Sequence, residues 1–143
     1  MIRHAEAQWN GSIKEGSGHV KVETGALDSP YSFKSRFVGG GETNPEELLG
    51  AAHAACFSMA LSGVLTKDGH PPTSIHTTAA VHIDPVEGGF AITKIELETV
   101  GEVPGIDAAA FEAAAAGAKA GCPLSKALAA VDIHLKTTFK QSA

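Results

Sequence analysis

The sequence of 143 residues predicts an α+β fold in a single domain spanning residues 1–143. Three observations favour this class. A long apolar helix begins after Asn44, alternating β-branched segments follow it at residues 74–84 and 90–100, and the other helices are separate from the strands along the chain. The expected order is three strands, the long helix, two strands, two helices and a last strand, with antiparallel sheets around the long helix.

The N-terminal part of the chain is predicted to form three strands. Residues 2–24 alternate loosely between apolar and polar side chains, and the pair Asn10-Gly11 within them is a turn signal for an antiparallel hairpin. Residues 31–38 alternate aromatic and polar side chains, which predicts the third strand. Three glycines at residues 39–41 then form a loop that leads into the long helix.

The helix expected over residues 44–65 has a well-marked start. Asn44 is suited to the N-cap, Pro45 to the first helical position, and Glu47 can close a capping box with Asn44. The side chains that follow are almost all apolar, so the helix is expected to be buried in a core. Because the run is rich in alanine and interrupted by polar residues, we do not expect it to span a membrane.

Each later element is indicated by its own local signal. The expected elements are a hairpin of residues 74–84 and 90–100, a helix over residues 108–120, a short helix that begins at Pro123 and a strand over residues 131–137. β-Branched alternation predicts the strands. Asp107 is suited to the N-cap of the first of these helices, and proline at the first position starts the second.

Composition excludes several classes of partner. A formal net charge of -5, with 11 basic residues that form no run, argues against nucleic acid and anionic membranes. The first residues, Met-Ile-Arg-His-Ala-Glu, lack the apolar stretch of a secretory signal, so a cytoplasmic location is expected. The glycine loop lacks the pattern of a phosphate-binding loop, and no cofactor is expected.

A homodimer is expected from the long helix. The small sheets of one subunit cannot easily cover a helix that is apolar on all sides. A second copy of the chain would bury the face that remains.

The two cysteines, Cys56 and Cys122, are too few for a disulfide scaffold and are expected to be thiols in a reducing compartment. They permit a peroxidatic and resolving pair, in which one thiolate attacks a peroxide to become a sulfenic acid and the other thiol then forms a disulfide with it. Two buried structural cysteines are the more common interpretation of such a pair.

Electrostatics alone favours Cys122 as the first attacker. It precedes a proline at a helix N-terminus, where free N–H groups stabilise a thiolate. Burial at mid-helix should raise the pKa of Cys56 unless a cation approaches it. The candidate cations are Arg36, a few lysines and protonated His53.

Other chemistries use the same residues. His53 and Cys56 are three apart on one helix face, as in a metal site or a Cys-His dyad. No second His/Cys pair at ligand spacing supports a metal site, and none is expected. A Cys-His hydrolase is the competing enzyme, and a dimeric thiol redox sensor is the competing protein without turnover.

Two stretches of the chain resemble the OsmC (osmotically inducible protein C) and Ohr (organic hydroperoxide resistance) family of thiol peroxidases. They are Thr43-Asn44-Pro45-Glu46-Glu47-Leu48 and Ala51-Ala52-His53-Ala54-Ala55-Cys56-Phe57-Ser58-Met59-Ala60, followed later by Cys122-Pro123. The second stretch looks like the OsmC branch more than the Ohr branch.

The resemblance implies an OsmC-like fold and an intertwined homodimer. It implies Cys56 as the peroxidatic and Cys122 as the resolving cysteine, with Arg36 and Glu46 as the charged partners that activate the thiolate. The implied reaction is the reduction of organic hydroperoxides and hydrogen peroxide, with recycling by a dithiol of the lipoyl type. Glu46 and Cys56 are ten residues apart on one helix, roughly 15 Å along its axis, so Glu46 is expected to serve the partner's Cys56.

Overall fold

The computed structural model describes residues 1–142, in two compact units that meet in sequence between Leu48 and Leu49. The elements in chain order are β1 (Ala5–Asn10), β2 (Ser17–Val22), β3 (Asp28–Tyr31), α1 (Phe33–Phe37), α2 (Pro45–Lys67), β4 (Ser74–Val86), β5 (Gly89–Glu102), α3 (Ala108–Gly121), α4 (Pro123–Ala127) and β6 (Asp132–Lys140). The α+β class is confirmed. The assignment of the chain to one domain stays a prediction.

The first unit contains an antiparallel sheet in the order β1-β2-β3. The predicted hairpin is therefore confirmed, with residues 11–16 as its connection. The Trp9 and Tyr31 rings pack together with their centroids 5.5 Å apart. This contact joins the first strand to the third.

The prediction of a strand over residues 31–38 was wrong. Strand β3 ends at Tyr31, and the residues from Phe33 form the short helix α1. The Ser32 hydroxyl accepts a hydrogen bond from the Ser35 N–H (3.1 Å), and the Ser35 hydroxyl accepts one from the Ser32 N–H (2.9 Å), which completes a capping box. The two serines were interpreted as the polar positions of a strand, but they start a helix that carries Arg36.

The second unit contains a sheet in the order β4-β5-β6. Strands β4 and β5 form the predicted antiparallel hairpin, whereas β6 lies parallel to β5. Helices α3 and α4 connect β5 to β6. They carry the chain back along the sheet, so that β6 can run in the same direction as β5, because parallel strands need a crossover connection of this kind. The expectation of purely antiparallel sheets is corrected in this respect.

Helix α2 begins where the sequence predicts. The Asn44 carboxamide oxygen accepts a hydrogen bond of 2.8 Å from the Glu47 N–H, as expected for an N-cap. The Glu47 carboxylate accepts from the Thr43 hydroxyl at 3.3 Å. By length and composition alone α2 would be long and apolar enough to cross a membrane, a test that the core helices of water-soluble proteins also pass.

Only one face of α2 is buried by this chain. The buried positions beyond its first turn are Gly50, His53, Phe57, Leu61 and Leu65. Their spacing of three and four residues is that of a single helix face. An opposite apolar face is exposed and contains Ala51, Ala52, Ala55 and Met59. The described residues of one chain thus leave part of this apolar helix uncovered, as expected, and the homodimer that would bury the rest stays a prediction.

The buried face of α2 belongs to the hydrophobic core of the second unit. The core also contains Ile95, Leu97, Val103, Phe111, Ala115, Ala118 and Cys122. The Phe111 ring of α3 packs against the Phe139 ring of β6 at 5.7 Å between centroids. The core thus places a cysteine among side chains that exclude water.

Gly101 provides a test of this packing. A Cβ atom at this position of β5 would overlap the fully buried Phe111 ring. We expect Gly101→Ala to lower the free energy of unfolding by about 1–3 kcal/mol, because the ring cannot move without disturbing the core. Urea unfolding followed by circular dichroism measures the change.

Gly117→Ala is the matched control for that experiment. Gly117 is an exposed position of α3 where an added Cβ meets nothing within 4 Å. The substitution should leave the stability unchanged or raise it by about 0.5–1 kcal/mol, because alanine favours a helix. Equal losses of stability in the two variants would contradict the packing that we describe.

Candidate active site

The two cysteines meet in the second unit. Cys56 lies in the middle of α2, and Cys122 links α3 to α4. Both are free thiols, and their Sγ atoms are 2.9 Å apart. A disulfide bond is about 2.05 Å long, so an approach of about 0.9 Å would join them.

The two sulfurs differ in access. Cys122 is fully buried, whereas Cys56 is only half-buried. A reagent that arrives from solvent therefore meets the Cys56 sulfur first. This order of access is the one that a peroxidatic Cys56 and a resolving Cys122 require.

The two thiols also differ in their tendency to ionise. Burial raises the pKa of the Cys56 thiol, the hydrogen bond with Cys122 raises it further, and the Leu124 N–H opposes both. Burial opposes ionisation of Cys122 as well. Hydrogen bonds from the Cys56 thiol, from the N–H and hydroxyl of Ser125 and from the Leu124 N–H nevertheless hold the pKa of Cys122 below its ordinary value. Within one chain, ionisation is therefore more favourable at Cys122 than at Cys56, in agreement with the electrostatic argument from the sequence.

Arg36 and Glu46 form an ion pair within the first unit. The Arg36 Nε and Nη2 atoms donate to Glu46 Oε1 at 3.0 and 2.8 Å. Glu46 is buried, whereas 39% of the Arg36 side chain remains exposed. The guanidinium is thus fixed by a buried carboxylate and still presents charge to its surroundings. Among residues 1–142, nothing hydrogen-bonds the second carboxylate oxygen, Glu46 Oε2.

An aromatic pocket lies beside the guanidinium of Arg36. It is open, has a volume of about 410 Å³, and is lined by Trp9, Gly11, Ile13, Tyr31, Ser32, Phe33, Arg36 and Phe37. Aromatic walls next to one cation suit a ligand with an apolar body and a polar end. From the sequence, the aromatic side chains of residues 31–38 are predicted to lie on a strand, and that prediction does not reveal this pocket. Two phenylalanines that flank Arg36 at the spacing of a helical turn were the available signal.

His53 does not form a dyad with Cys56. Its imidazole is fully buried, and the Nε2 atom lies 2.8 Å from the hydroxyl oxygen of Ser125. Burial lowers the pKa of His53, so the ring is neutral near pH 7 and is excluded as the cation that activates Cys56. The sequence does not indicate a role for Ser125, because it lies 72 residues from His53 and belongs to no motif.

Among residues 1–142, no group of three or more His, Cys, Asp or Glu side chains is arranged to hold a metal ion.

The structure brings the four expected residues together as two pairs. One pair is Cys56 with Cys122, and the other is Arg36 with Glu46.

The buried His53 makes stability depend on pH. Below about pH 6.5 the unfolded chain protonates this residue, whereas the folded chain, in which its pKa is lowered, does not. The unfolded state then binds more protons, so the free energy of unfolding should fall as the pH drops below about 6.5, by at most about 1.4 kcal/mol per pH unit.

Urea unfolding of the wild type and of His53→Gln between about pH 7.5 and about pH 5.5 measures this contribution. The variant should lose part of the slope. An identical slope in both proteins would show that His53 is not held neutral by the fold.

Known proteins resemble this chain in sequence and in fold. A profile of the family described as OsmC-like protein matches residues 38–136. The chain is 54% identical over 139 residues to Peroxiredoxin OsmC of Escherichia coli, covering 94% of this chain and 97% of that protein. It is 38% identical over 105 residues to an organic hydroperoxide resistance protein of Xanthomonas axonopodis pv. citri, covering 71% of this chain and 72% of that protein.

A solved structure agrees over nearly the whole chain. The crystal structure of an organic hydroperoxide resistance protein OsmC from Legionella pneumophila matches with a TM-score of 0.74 and 28% identity, covering 96% of this chain and 98% of that one. The chain therefore belongs to the OsmC-like protein family.

Proposed function

We propose that this protein reduces organic hydroperoxides and hydrogen peroxide through a Cys56 sulfenic acid and a Cys56–Cys122 disulfide. Its relatives, named as a peroxiredoxin and as organic hydroperoxide resistance proteins, support a peroxide-detoxifying thiol enzyme. The observation that carries the mechanism is the contact of two free sulfurs at 2.9 Å, one reachable and one buried. This arrangement favours turnover over two structural cysteines.

The reaction has two chemical steps. The Cys56 thiolate attacks the terminal oxygen of the peroxide, the O–O bond breaks, and the alkoxide or hydroxide leaves and takes up a proton. The Cys122 thiolate then attacks the sulfenic sulfur, the S–O bond breaks, and the hydroxide leaves as water after it gains a proton. Two electrons have passed from the thiol pair to the peroxide.

The first step needs a cation close to Cys56, and neither cysteine of the pair carries a positive charge. Burial raises the pKa of Cys56, so its thiolate has to be stabilised before it can attack. Arg36 carries the charge that this requires, and its ion pair with Glu46 fixes the guanidinium. We infer that the Arg36 that serves Cys56 is the partner's Arg36.

The arrangement of α2 supports a two-chain site. Glu46 and Cys56 are ten residues apart on this helix, and their midpoint is Ala51, which is exposed. If two copies of α2 cross in antiparallel directions at that alanine, each Glu46 lies level with the partner's Cys56. A small residue at the crossing lets the helices approach closely, and the exposed apolar face around it becomes buried.

The aromatic pocket supports an organic substrate. Its apolar walls suit the carbon body of a hydroperoxide, and the guanidinium of Arg36 suits the oxygens. Hydrogen peroxide needs only the guanidinium and the thiolate. We therefore expect alkyl and aryl hydroperoxides to react faster than hydrogen peroxide.

Recycling requires a reductant that reaches a largely buried disulfide. A small dithiol of the lipoyl type is the proposed reductant, because its second thiol completes the exchange once the first has attacked the disulfide. A cytoplasmic location is part of the proposal, because a reducing compartment keeps both cysteines as thiols.

Variants of the two cysteines test the mechanism. Cys56→Ser should reduce peroxide consumption to the background of the buffer. Cys122→Ser should react with one equivalent of peroxide and accumulate a sulfenic acid, which a dimedone-type probe detects by mass spectrometry. With dihydrolipoamide the wild type should turn over repeatedly.

The same measurements separate the alternatives. Oxidation of the wild type by one equivalent without recycling would favour a redox sensor. Hydrolysis of an activated ester that does not need Cys122 would favour a hydrolase. Peroxide consumption that survives Cys56→Ser would overturn the proposed mechanism.

A mixed dimer tests whether the site uses two chains. Arg36→Gln removes the charge but keeps a hydrogen-bond donor for the buried Glu46 carboxylate, so this variant should fold but react slowly. When it is co-expressed with Cys56→Ser and the mixed dimer is isolated through two different tags, one of the two sites again has both Arg36 and Cys56. We expect about half of the wild-type activity, since a symmetric dimer has two equivalent sites.

The mixed dimer also tests the alternative arrangement, in which each site lies within one chain. If Arg36 and Cys56 of the same chain formed the site, neither site in the mixed dimer would be intact, and activity would stay at the level of the single variants.

Lys34→Ala removes a different cation from α1 and should leave the rate of Cys56 oxidation unchanged. A similar loss in both cation variants would contradict a specific role for Arg36.

A further inference from the structure

Helix α1, which carries Arg36, is too short to hold the guanidinium in place without support. It spans Phe33–Phe37, and a helix shorter than about 12 residues is marginal in water without tertiary contacts. The chain leaves it through Gly39 and Gly40, where the φ angles are 113° and 155° and an added Cβ would meet nothing within 4 Å. These glycines add no side-chain packing, so the position of α1 depends on its hydrogen bonds.

The end of α1 leaves one backbone carbonyl without a helical partner. In a continuing α-helix the Gly39 N–H would donate to the Ser35 carbonyl, four residues before it. Here the N–H groups of Val38 and Gly39 both donate to the Lys34 carbonyl, at 2.9 and 2.8 Å. The Ser35 carbonyl accepts instead from the Asn44 carboxamide nitrogen at 3.2 Å. A side chain at the start of α2 thus satisfies a carbonyl that the end of α1 leaves open.

The Ser35 side chain makes a second contact with the same segment. Its hydroxyl donates to the Thr43 carbonyl at 2.8 Å, the shorter of its two contacts with carbonyl oxygens. Ser35 and Thr43 are both buried. An isolated β-bridge joins Thr43 to Tyr31, so the acceptor is itself fixed to the end of β3. Helix α1 is therefore held by its backbone and by a side chain against the residues that precede α2.

Asn44 acts on both helices with one carboxamide group. Its oxygen accepts from the Glu47 N–H at 2.8 Å and caps α2, while its nitrogen donates to Ser35 of α1. Among the residues that favour the N-cap, only asparagine carries an N–H donor on its side chain. Arg36 follows Ser35 directly, and Glu46 lies two residues after Asn44. One side chain therefore fixes the separation of the two backbone segments that carry the ion pair.

We propose that Asn44 is a positioning residue for peroxide reduction, because it holds α1 against the start of α2 and so keeps the Arg36 guanidinium at the buried Glu46 carboxylate. The inference rests on the proposed function, in which the charge of Arg36 stabilises the Cys56 thiolate. Asn44 acts through Arg36 and not on the reacting atoms. Without its N–H donor, the guanidinium would spend less time in the position that the thiolate requires.

Asn44→Ser separates the two roles of the carboxamide. Serine also caps a helix, but its shorter side chain has no N–H group, so the contact with the Ser35 carbonyl is lost. Stopped-flow oxidation of Cys56 by cumene hydroperoxide should be roughly fivefold slower at about pH 6, the effect of losing one neutral hydrogen bond. The loss should become smaller as the pH rises, because Cys56 then needs less help from the cation to ionise. A loss of equal size at every pH, or no loss at all, would overturn the inference.

Nuclear magnetic resonance tests the position of Arg36 without any peroxide. The arginines of the chain are Arg3 and Arg36, and Arg36→Gln identifies the Arg36 Nε–H signal by its disappearance. In the wild type this N–H donates to Glu46 at 3.0 Å, which slows its exchange with water. In Asn44→Ser the exchange should be roughly fivefold faster, because the same hydrogen bond no longer opposes the opening of the ion pair. Exchange at the wild-type rate would contradict the positioning role.

Asp107→Ser is the matched control for both measurements. The Asp107 carboxylate caps α3 by accepting from the Ala110 N–H at 2.8 Å, and serine can cap this helix as well. The oxidation rate and the exchange of the Arg36 Nε–H should both stay at their wild-type values. Changes as large as those in Asn44→Ser would show that any altered helix cap has this effect, and the inference would fail.

The two measurements also distinguish this inference from the proposed function. If the wild type forms no sulfenic acid at Cys56 with any peroxide, the proposed function fails. The exchange of the Arg36 Nε–H still decides whether Asn44 holds the guanidinium, because that measurement uses neither a peroxide nor a cysteine.

Discussion

A thiol becomes a nucleophile only where something stabilises its anion, and this chain stabilises the anion of the less accessible sulfur. The donors that favour a thiolate surround Cys122 at the start of α4, whereas Cys56 has the weaker support and the better access to solvent. In the proposed mechanism the peroxide reacts with a thiolate at Cys56, so positive charge has to be added there from outside the cysteine pair.

The long helix explains how this charge can be supplied. Helix α2 carries Glu46 in its first turn and Cys56 ten residues later, so the carboxylate and the thiol cannot meet on one copy of the helix. The Glu46 carboxylate forms an ion pair with Arg36. Between Glu46 and Cys56, the exposed alanines at positions 51, 52 and 55 form a flat apolar face of the helix. A helix with larger side chains on this face would keep a second helix at a distance. If this face carried polar side chains, burying it against a second helix would not be favourable.

The sequence predicts those parts of this thiol peroxidase that depend on local interactions. The start of α2 follows from Asn44 and Pro45, and the hairpin of β4 and β5 follows from alternation alone. Local interactions also explain the error at residues 31–38, where the hydrogen bonds between Ser32 and Ser35 outweigh an alternating pattern and start a helix. The parallel pairing of β6 depends on where two helices return the chain, and no residue within β6 carries that information.

The candidate site shows the same division between local and distant contacts. Family motifs indicate the four charged and nucleophilic residues, but their pairing in space depends on contacts between distant segments, such as the 66 residues that separate Cys56 from Cys122. Ser125 is a clearer case, because a serine two residues after a proline in a short helix is usually explained as a surface or capping residue. Only the fold places its hydroxyl oxygen 2.8 Å from Nε2 of the fully buried His53 imidazole. The fold therefore keeps Cys122 in the hydrophobic core with Phe111 and Ala118. The Arg36 guanidinium, which supplies the positive charge in the proposed mechanism, stays partly exposed to solvent, where a charge costs less than it would in that core.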